Sequence, residues 1–296
     1  MRDTFNAMPT ALDYLLQSQN ADGGWGYRIG GMSYIEPTSA ALLAVRDTPN
    51  DFARYRARDF LLALQQKDGG WGIAQIDDES GWMTAWAVRA LASFADLQIK
   101  IDRGVLWLIQ TSGNVITDPK NRAKIREWYQ MDSTLRGFPW QVGDAAWVHP
   151  TALAILALVA ANQRDHARTR DAVAYLLDRA TASGGWNIGN PQMIDKPIPA
   201  TIQDTAMALL ALRAVGVTQD DSRVSRALAY LVQALANART TAELAFGLWA
   251  ASEWQIAKSE WSARLNSLQR PDGSWDGNPF YTSVALLAQR AAGFSA

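Results

Sequence analysis

The chain of 296 residues contains no cysteine, which removes disulfide frameworks, thiolate-bound zinc, iron–sulfur clusters and cysteine nucleophiles. Only two histidines are present, His149 and His166, too few for a multi-histidine metal centre. Charge is also sparse. Charged residues make up 19% of the chain and the formal net charge is −1, so bulk electrostatics gives nucleic acid no hold on it. The longest apolar stretch, Thr151 to Ala161, falls far below the ~20 residues of a membrane-spanning helix, which leaves only peripheral contact with a bilayer. The opening residues Met1-Arg2-Asp3-Thr4 lack the apolar run of a secretory leader, and a cytoplasmic protein is the expectation.

Hydrophobic residues reach 48%, enough for a large core, and tryptophan is unusually common at 13. Much of it recurs in one string, Gln-x-x-Asp-Gly-Gly-Trp, at Gln19 to Trp25 and Gln65 to Trp71, with Gln269 to Trp275 carrying Ser in place of the second Gly. A degenerate copy, Ser183-Gly-Gly-Trp186, has Ala180 in place of the Gln. A second string, Thr followed by small and apolar residues, begins at Thr38, Thr84, Thr151, Thr205, Thr241 and Thr282. A third, an aromatic followed by two apolar residues, starts at Tyr14, Phe60, Trp107, Tyr175 and Tyr230, with a weaker copy at Arg264. The series share one register and lengthen in the same part of the chain, so six repeats are present.

Each repeat reads as two helices. Ala57, Phe60, Leu61 and Leu64 follow the amphipathic helical period, while Arg54, Arg56, Arg58 and Asp59 form a water-facing side. The helices that begin at the repeated threonines are apolar nearly all round, as a helix packed on every side must be. Glycine in the turns supplies the left-handed backbone that ends one helix and reverses the chain. Six all-apolar inner helices need a shared interior, which a closed ring provides and an open solenoid does not. The fold expected is therefore all-α: a single-domain α6/α6 toroid (an alpha/alpha barrel) of six helix-pair repeats over residues 1–296. An insertion at about 112–137, with Lys120 to Arg126 and then Glu127-Trp128-Tyr129, is either a lid or a surface embellishment. The fifth repeat lacks its Gly-Gly-Trp turn and has Leu235 to Thr240 there instead.

From about Leu12 to Gln289 these turns resemble the QW motifs of squalene–hopene and oxidosqualene cyclases, and the helix pairs are similar to the terpene cyclase and prenyltransferase toroid. The resemblance implies an isoprenoid or polyprenyl ligand in a central cavity and cation-type chemistry. Class II terpene cyclases carry Asp-x-Asp-Asp-Thr-Ala at the start of an inner helix, with the middle Asp as acid. The corresponding stretch here is Thr201-Ile202-Gln203-Asp204-Thr205-Ala206, so Gln203 replaces the acid and only Asp204 survives. Protein prenyltransferase β-subunits hold zinc partly through cysteine, which this chain cannot do.

The repeat register places Glu36, Trp82, His149, Gln203, Arg239 and Phe280 two positions before each repeated threonine, at the mouth of the ring. Candidate catalytic residues are Glu36 and Asp204 as relocated proton donors, with His149 as an orienting partner. Ligand contacts are assigned to Gln203, Trp82, Trp86, Trp140, Trp147, Arg239, Phe280 and Tyr281, since aromatic faces shelter a carbocation. Each acid also has a structural reading as a helix cap. No metal or cofactor is expected; Mg²⁺ at Asp77-Asp78-Glu79 would accompany only a diphosphate substrate. The leading reading is an isomerase or lyase of the class II terpene cyclase type that binds an apolar isoprenoid. Two others stay open: a non-catalytic lipid- or protein-binding toroid, and an inverting glycosidase with two carboxylates across a groove.

Overall fold

A computed structural model describes residues 10–48 and 50–293; the segment inspected above for a leader lies outside the described residues. Thirteen α-helices are described, numbered here in chain order. The inner six are α2 (Ile35–Val45), α4 (Met83–Leu91), α7 (Val148–Ala160), α9 (Ile202–Ala214), α11 (Thr241–Glu253) and α13 (Pro279–Ala291). The outer six are α1 (Ala11–Gln17), α3 (Asp51–Ala63), α5 (Gln98–Gln110), α8 (Ala167–Asp178), α10 (Ser222–Asn237) and α12 (Ser259–Ser267). Each inner helix packs on the next, and α13 packs back on α2, which closes the ring. The outer helices sheathe it, α3 on α2, α5 on α4, α8 on α7, α10 on α9, α12 on α11 and α1 on α13. The fold is an all-α toroid. Burial matches the patterning: every residue of α7 from Pro150 to Leu158 is buried.

The repeated turn is a staple made of backbone bonds. In the second repeat the indole Nε1–H of Trp71 donates to Leu61 O in the last turn of α3 at 2.7 Å. Its backbone N–H donates to Thr84 Oγ1 in α4 at 2.9 Å. One residue thereby ties an outer helix to the inner helix that follows. Trp25, Trp186 and Trp275 do the same with Thr38, Thr205 and Thr282. In the third repeat Phe138 takes the backbone role, its N–H reaching Thr151 Oγ1 at 2.8 Å. The repeat glutamine bridges repeats, as Gln65 Nε2 donates to Gly69 O and to Lys100 O on the next outer helix. Gly69 has φ +98°, and a Cβ there would stand 2.6 Å from Arg103 O, so two constraints select glycine.

Arg56 departs from the water-facing role expected of it. Its guanidinium donates to Asn20 O and Ala21 O beyond α1. Arg103, Arg168 and Arg264 hold the preceding turn's carbonyls in the same manner. A surface period at the sequence level cannot distinguish an arginine in water from one that reaches a neighbouring repeat.

The inserted stretch contains α6 (Pro119–Tyr129). Asp118 caps its start by accepting the Asn121 N–H at 2.9 Å, and Pro119 occupies its first turn. The helix is polar around its circumference, so no apolar period announced it. It leans on β1 (Gln192–Met193), which pairs antiparallel with β2 (Lys196–Pro197). Among the described residues no helix is long and apolar enough to cross a membrane.

Candidate functional site at the ring mouth

The inner helices run parallel, so their first turns meet at one end of the axis. Trp86 of α4 and Phe280 of α13 stand on helices separated by α2, yet their rings meet edge to face at 6.0 Å. Phe246 of α11 lies 6.3 Å from Phe280 on the other side. The first contact passes over the intervening α2 and the second joins two neighbouring inner helices. Trp86, Met207 and Phe246 are at most 2% exposed, so the axis is filled at this level.

Glu36 sits in the first turn of α2 over this aromatic plug. The Tyr27 hydroxyl donates to Glu36 Oε2, and Tyr27 stacks at an angle on Tyr34 at 5.1 Å and against Phe280 at 6.1 Å. Desolvation pushes the Glu36 carboxyl up to about 7, with Tyr27 and Trp86 drawing it partly back. The Trp86 Nε1–H is itself buried without a partner of normal geometry, so the Tyr27 bond is the firm one. The Tyr27 phenol is pushed well up by its own burial and by the charge of Glu36.

His149, in the first turn of α7, forms a second cluster. Its imidazole stacks on Trp140 at 5.5 Å and meets Trp82 edge-on at 6.0 Å, while Trp82 and Trp140 touch at 4.6 Å. Desolvation draws its pKa down to about 4, so it is neutral at pH 7. Trp82 and Trp86 lie one turn apart at the start of α4 and join the two clusters. The mouth thus holds a carboxyl that keeps its proton near neutrality beside an imidazole that does not.

Residues 1–141 match the squalene-hopene cyclase C-terminal domain. Over that stretch, just under half of the chain, the sequence is similar to that family. Among solved structures it is similar to the type II terpene cyclase MstE from Scytonema in complex with geranylgeranyl dihydroxybenzoate. That likeness has 17% identity, 95% of each chain covered and a TM-score of 0.63. A protein from Actinoplanes is similar at 19% identity, covering 96% of this chain and 97% of that one, with a TM-score of 0.64. An α-1,6-mannanase from Salegentibacter reaches the same TM-score of 0.64 at 8% identity, covering 95% and 96%. At these identities the likenesses establish the toroid and not the reaction. Among curated proteins none matches.

The segment Thr201 to Ala206, compared above with the terpene cyclase acid motif, forms the start of α9. Thr201 is the N-cap, and its hydroxyl donates to Asp204 Oδ2 at 2.8 Å while accepting the Asp204 N–H at 3.1 Å. Asp204 is buried, which raises its pKa against the pull of Thr201. Gln203 is half-buried in the same first turn. Helix α9 lies across the ring from α2, and among the described residues no hydrogen bond or ion pair joins Glu36, His149 and Asp204. Tyr281 is in the mouth, 5.6 Å from Phe280. Arg239 is exposed, its backbone N–H bonded to Glu243. Trp147 lies elsewhere, lining a groove of about 110 Å³ beneath α6 with Tyr175 and Gly189. Asp77 turns its carboxylate to the N–H groups of Ile73 and Glu79, and Glu79 accepts from Gln141. Among the described residues no three His, Asp or Glu side chains converge as a metal site requires. Sequence reasoning passed over Tyr27, Tyr34 and Phe246: the first two sit in a loop without period, and Phe246 reads as ordinary core.

Glu36→Gln is expected to stabilise the fold at high pH. The folded protein binds the Glu36 proton more tightly than the unfolded chain, so stability falls as pH rises from about 4.5 to about 7. Removing the carboxyl should gain about 2–3 kcal/mol at pH 8 and nothing near pH 4. His149 acts in the opposite sense, its contribution being lost as pH falls from 6.5 toward 4. The quantity to measure is therefore the variant-minus-wild-type difference across pH, by urea unfolding. A constant difference would refute the assignment.

Proposed function

We propose that the mouth binds the unsaturated end of an apolar isoprenoid and carries out a cation-type isomerisation or cyclisation, with Glu36 as donor and His149 as acceptor. Glu36 adds a proton to an alkene carbon, the positive charge moves within the ligand, and a proton leaves from another carbon to the neutral imidazole. Substrate and product have the same mass, and both groups re-equilibrate with water. The observation that carries this reading is the Glu36 carboxyl, held protonated near neutrality in contact with aromatic rings. A raised pKa keeps the proton in place but weakens the acid, so the walls must supply cation stabilisation. Trp82 and Tyr281 would each contribute about 0.5–2 kcal/mol. The solved complex of the similar MstE with a geranylgeranyl compound supports an isoprenoid ligand. Because Trp86 and Phe280 block the axis, the ligand rests in the mouth and does not thread the ring. Mg²⁺ enters only with a diphosphate substrate.

Gln203 at the family's acid position favours a second reading, binding without turnover. Incubation with squalene, farnesyl diphosphate and geranylgeranyl diphosphate, followed by chromatography coupled to mass spectrometry, which resolves isomers of equal mass, and by thermal melting, separates the two. The first reading expects a product from at least one of them. No product with a raised melting temperature leaves the binding reading, and neither effect overturns both.

A further inference from the structure

At the opposite end of the ring, where the inner helices finish, lies a second vestibule of about 320 Å³ lined from five of the six inner helices. Arg46, Arg89, Arg290, Trp249 and Glu253 face it, with apolar residues such as Ala160 between them. Helices α4 and α11 stand opposite each other in the ring, so the Arg89 guanidinium over the Trp249 ring, at 4.9 Å, crosses the axis. Together they form the vestibule floor.

The rim arginines are already matched. Asp47 pairs with Arg46 and with Arg290, each at 3.1 Å, and Arg290 also donates to Ala44 O at 2.6 Å, closing the end of α2. Arg89 is different. Its Nη1 is fully buried without an acceptor, and among the described residues the guanidinium makes no hydrogen bond or ion pair. Glu253 acts on it only through space, and burial draws its pKa down to about 10, so it is charged at neutral pH. A half-buried cation whose buried Nη1–H has no acceptor is costly unless one arrives from outside. Three arginines against Asp47 and Glu253 leave a formal charge of +1. The converging carbonyl ends of the inner helices reduce it further. That balance suits a ligand of low negative charge, and the planar fork of a guanidinium suits paired oxygens.

We infer that this vestibule is a binding site for a small oxyanion, a carboxylate or phosphate ester on an apolar or aromatic body, whose oxygens occupy the free donors of Arg89. The site is at the far end from Glu36 and does not depend on the reading of the mouth.

Titration calorimetry at low ionic strength would use benzoate, phenyl phosphate, and vesicles of phosphatidic acid in phosphatidylcholine. Saturable binding of a soluble probe assigns a soluble ligand, and binding of the vesicles alone assigns a lipid headgroup as the source. In either case Arg89→Met is expected to weaken binding about tenfold to a hundredfold, and Arg46→Gln far less. A thermal melt checks the variant independently. If Arg89 only supports the fold, Arg89→Met lowers the melting temperature. If it waits for a ligand, removing an unpaired buried charge raises it by about 2–4 °C. No saturable binding of any probe, or undiminished binding by Arg89→Met, would overturn the inference, as would a lowered melting temperature without an anion effect.

Discussion

Trp71→Ala is expected to cost about 3–5 kcal/mol of folding stability, the range of a fully buried large-to-small change. The side chain is 0% exposed and closely held: a Cβ added at Gly104 would stand 2.9 Å from the indole. Truncation leaves a void between α3, α4 and α5 and strips Leu61 O of its only indole donor. The backbone bond to Thr84 survives in the variant, so the loss reports the side chain itself. Urea unfolding followed by far-ultraviolet circular dichroism gives the difference. Trp128→Ala on α6 is the comparison, since that residue is 42% exposed and its removal should stay within about 0.5 kcal/mol. Equal effects at the two positions would contradict the staple.

The second large effect concerns turnover. With whichever isoprenoid proves to be converted, Glu36→Gln is expected to lower kcat/KM by about 10²–10⁴-fold, because an amide has no proton to give. In the wild type kcat/KM should fall about tenfold per pH unit above about 7, where the carboxyl loses its proton. Asp204 provides the contrast. Its carboxylate accepts from Thr201 at the start of α9, a bond the Asn Oδ1 can also accept, so Asp204→Asn should change stability by less than about 1 kcal/mol and leave the pH profile in place. A profile that shifts with Asp204→Asn and persists in Glu36→Gln would transfer the donor role to Asp204 and remove the present assignment.

The two ends of the ring pose different electrostatic problems. At the mouth, burial works on an acid and a base in opposite directions, and desolvation leaves Glu36 about half protonated and His149 uncharged at pH 7. At the far end, guanidinium groups remain charged whatever the surroundings, so the charge must be matched by partners. Arg46 and Arg290 have theirs in Asp47, and among the described residues Arg89 has Trp249 in contact and Glu253 only through space.

The repeats, the two helix types and their closure into a ring were legible in the chain because local signals carry them. A Gly-Gly turn, a threonine at a constant place and an apolar circumference recur with every pair, and each has a physical meaning within a few residues. Glu36, Trp82, His149, Gln203, Arg239 and Phe280 are assigned to the mouth from the same register. What the lumen contains was decided only in three dimensions. Trp86 meets Phe280, and Arg89 meets Trp249, across helices that are not neighbours. Whether such side chains leave a channel or fill it depends on their size and tilt relative to an axis that no single repeat contains. The bond from Tyr27 to Glu36, the reach of Arg56 to its neighbour and the position of Trp147 beneath α6 have the same origin. In each case a loop or a long side chain was positioned by ring closure, which acts between distant residues and leaves no period in the sequence.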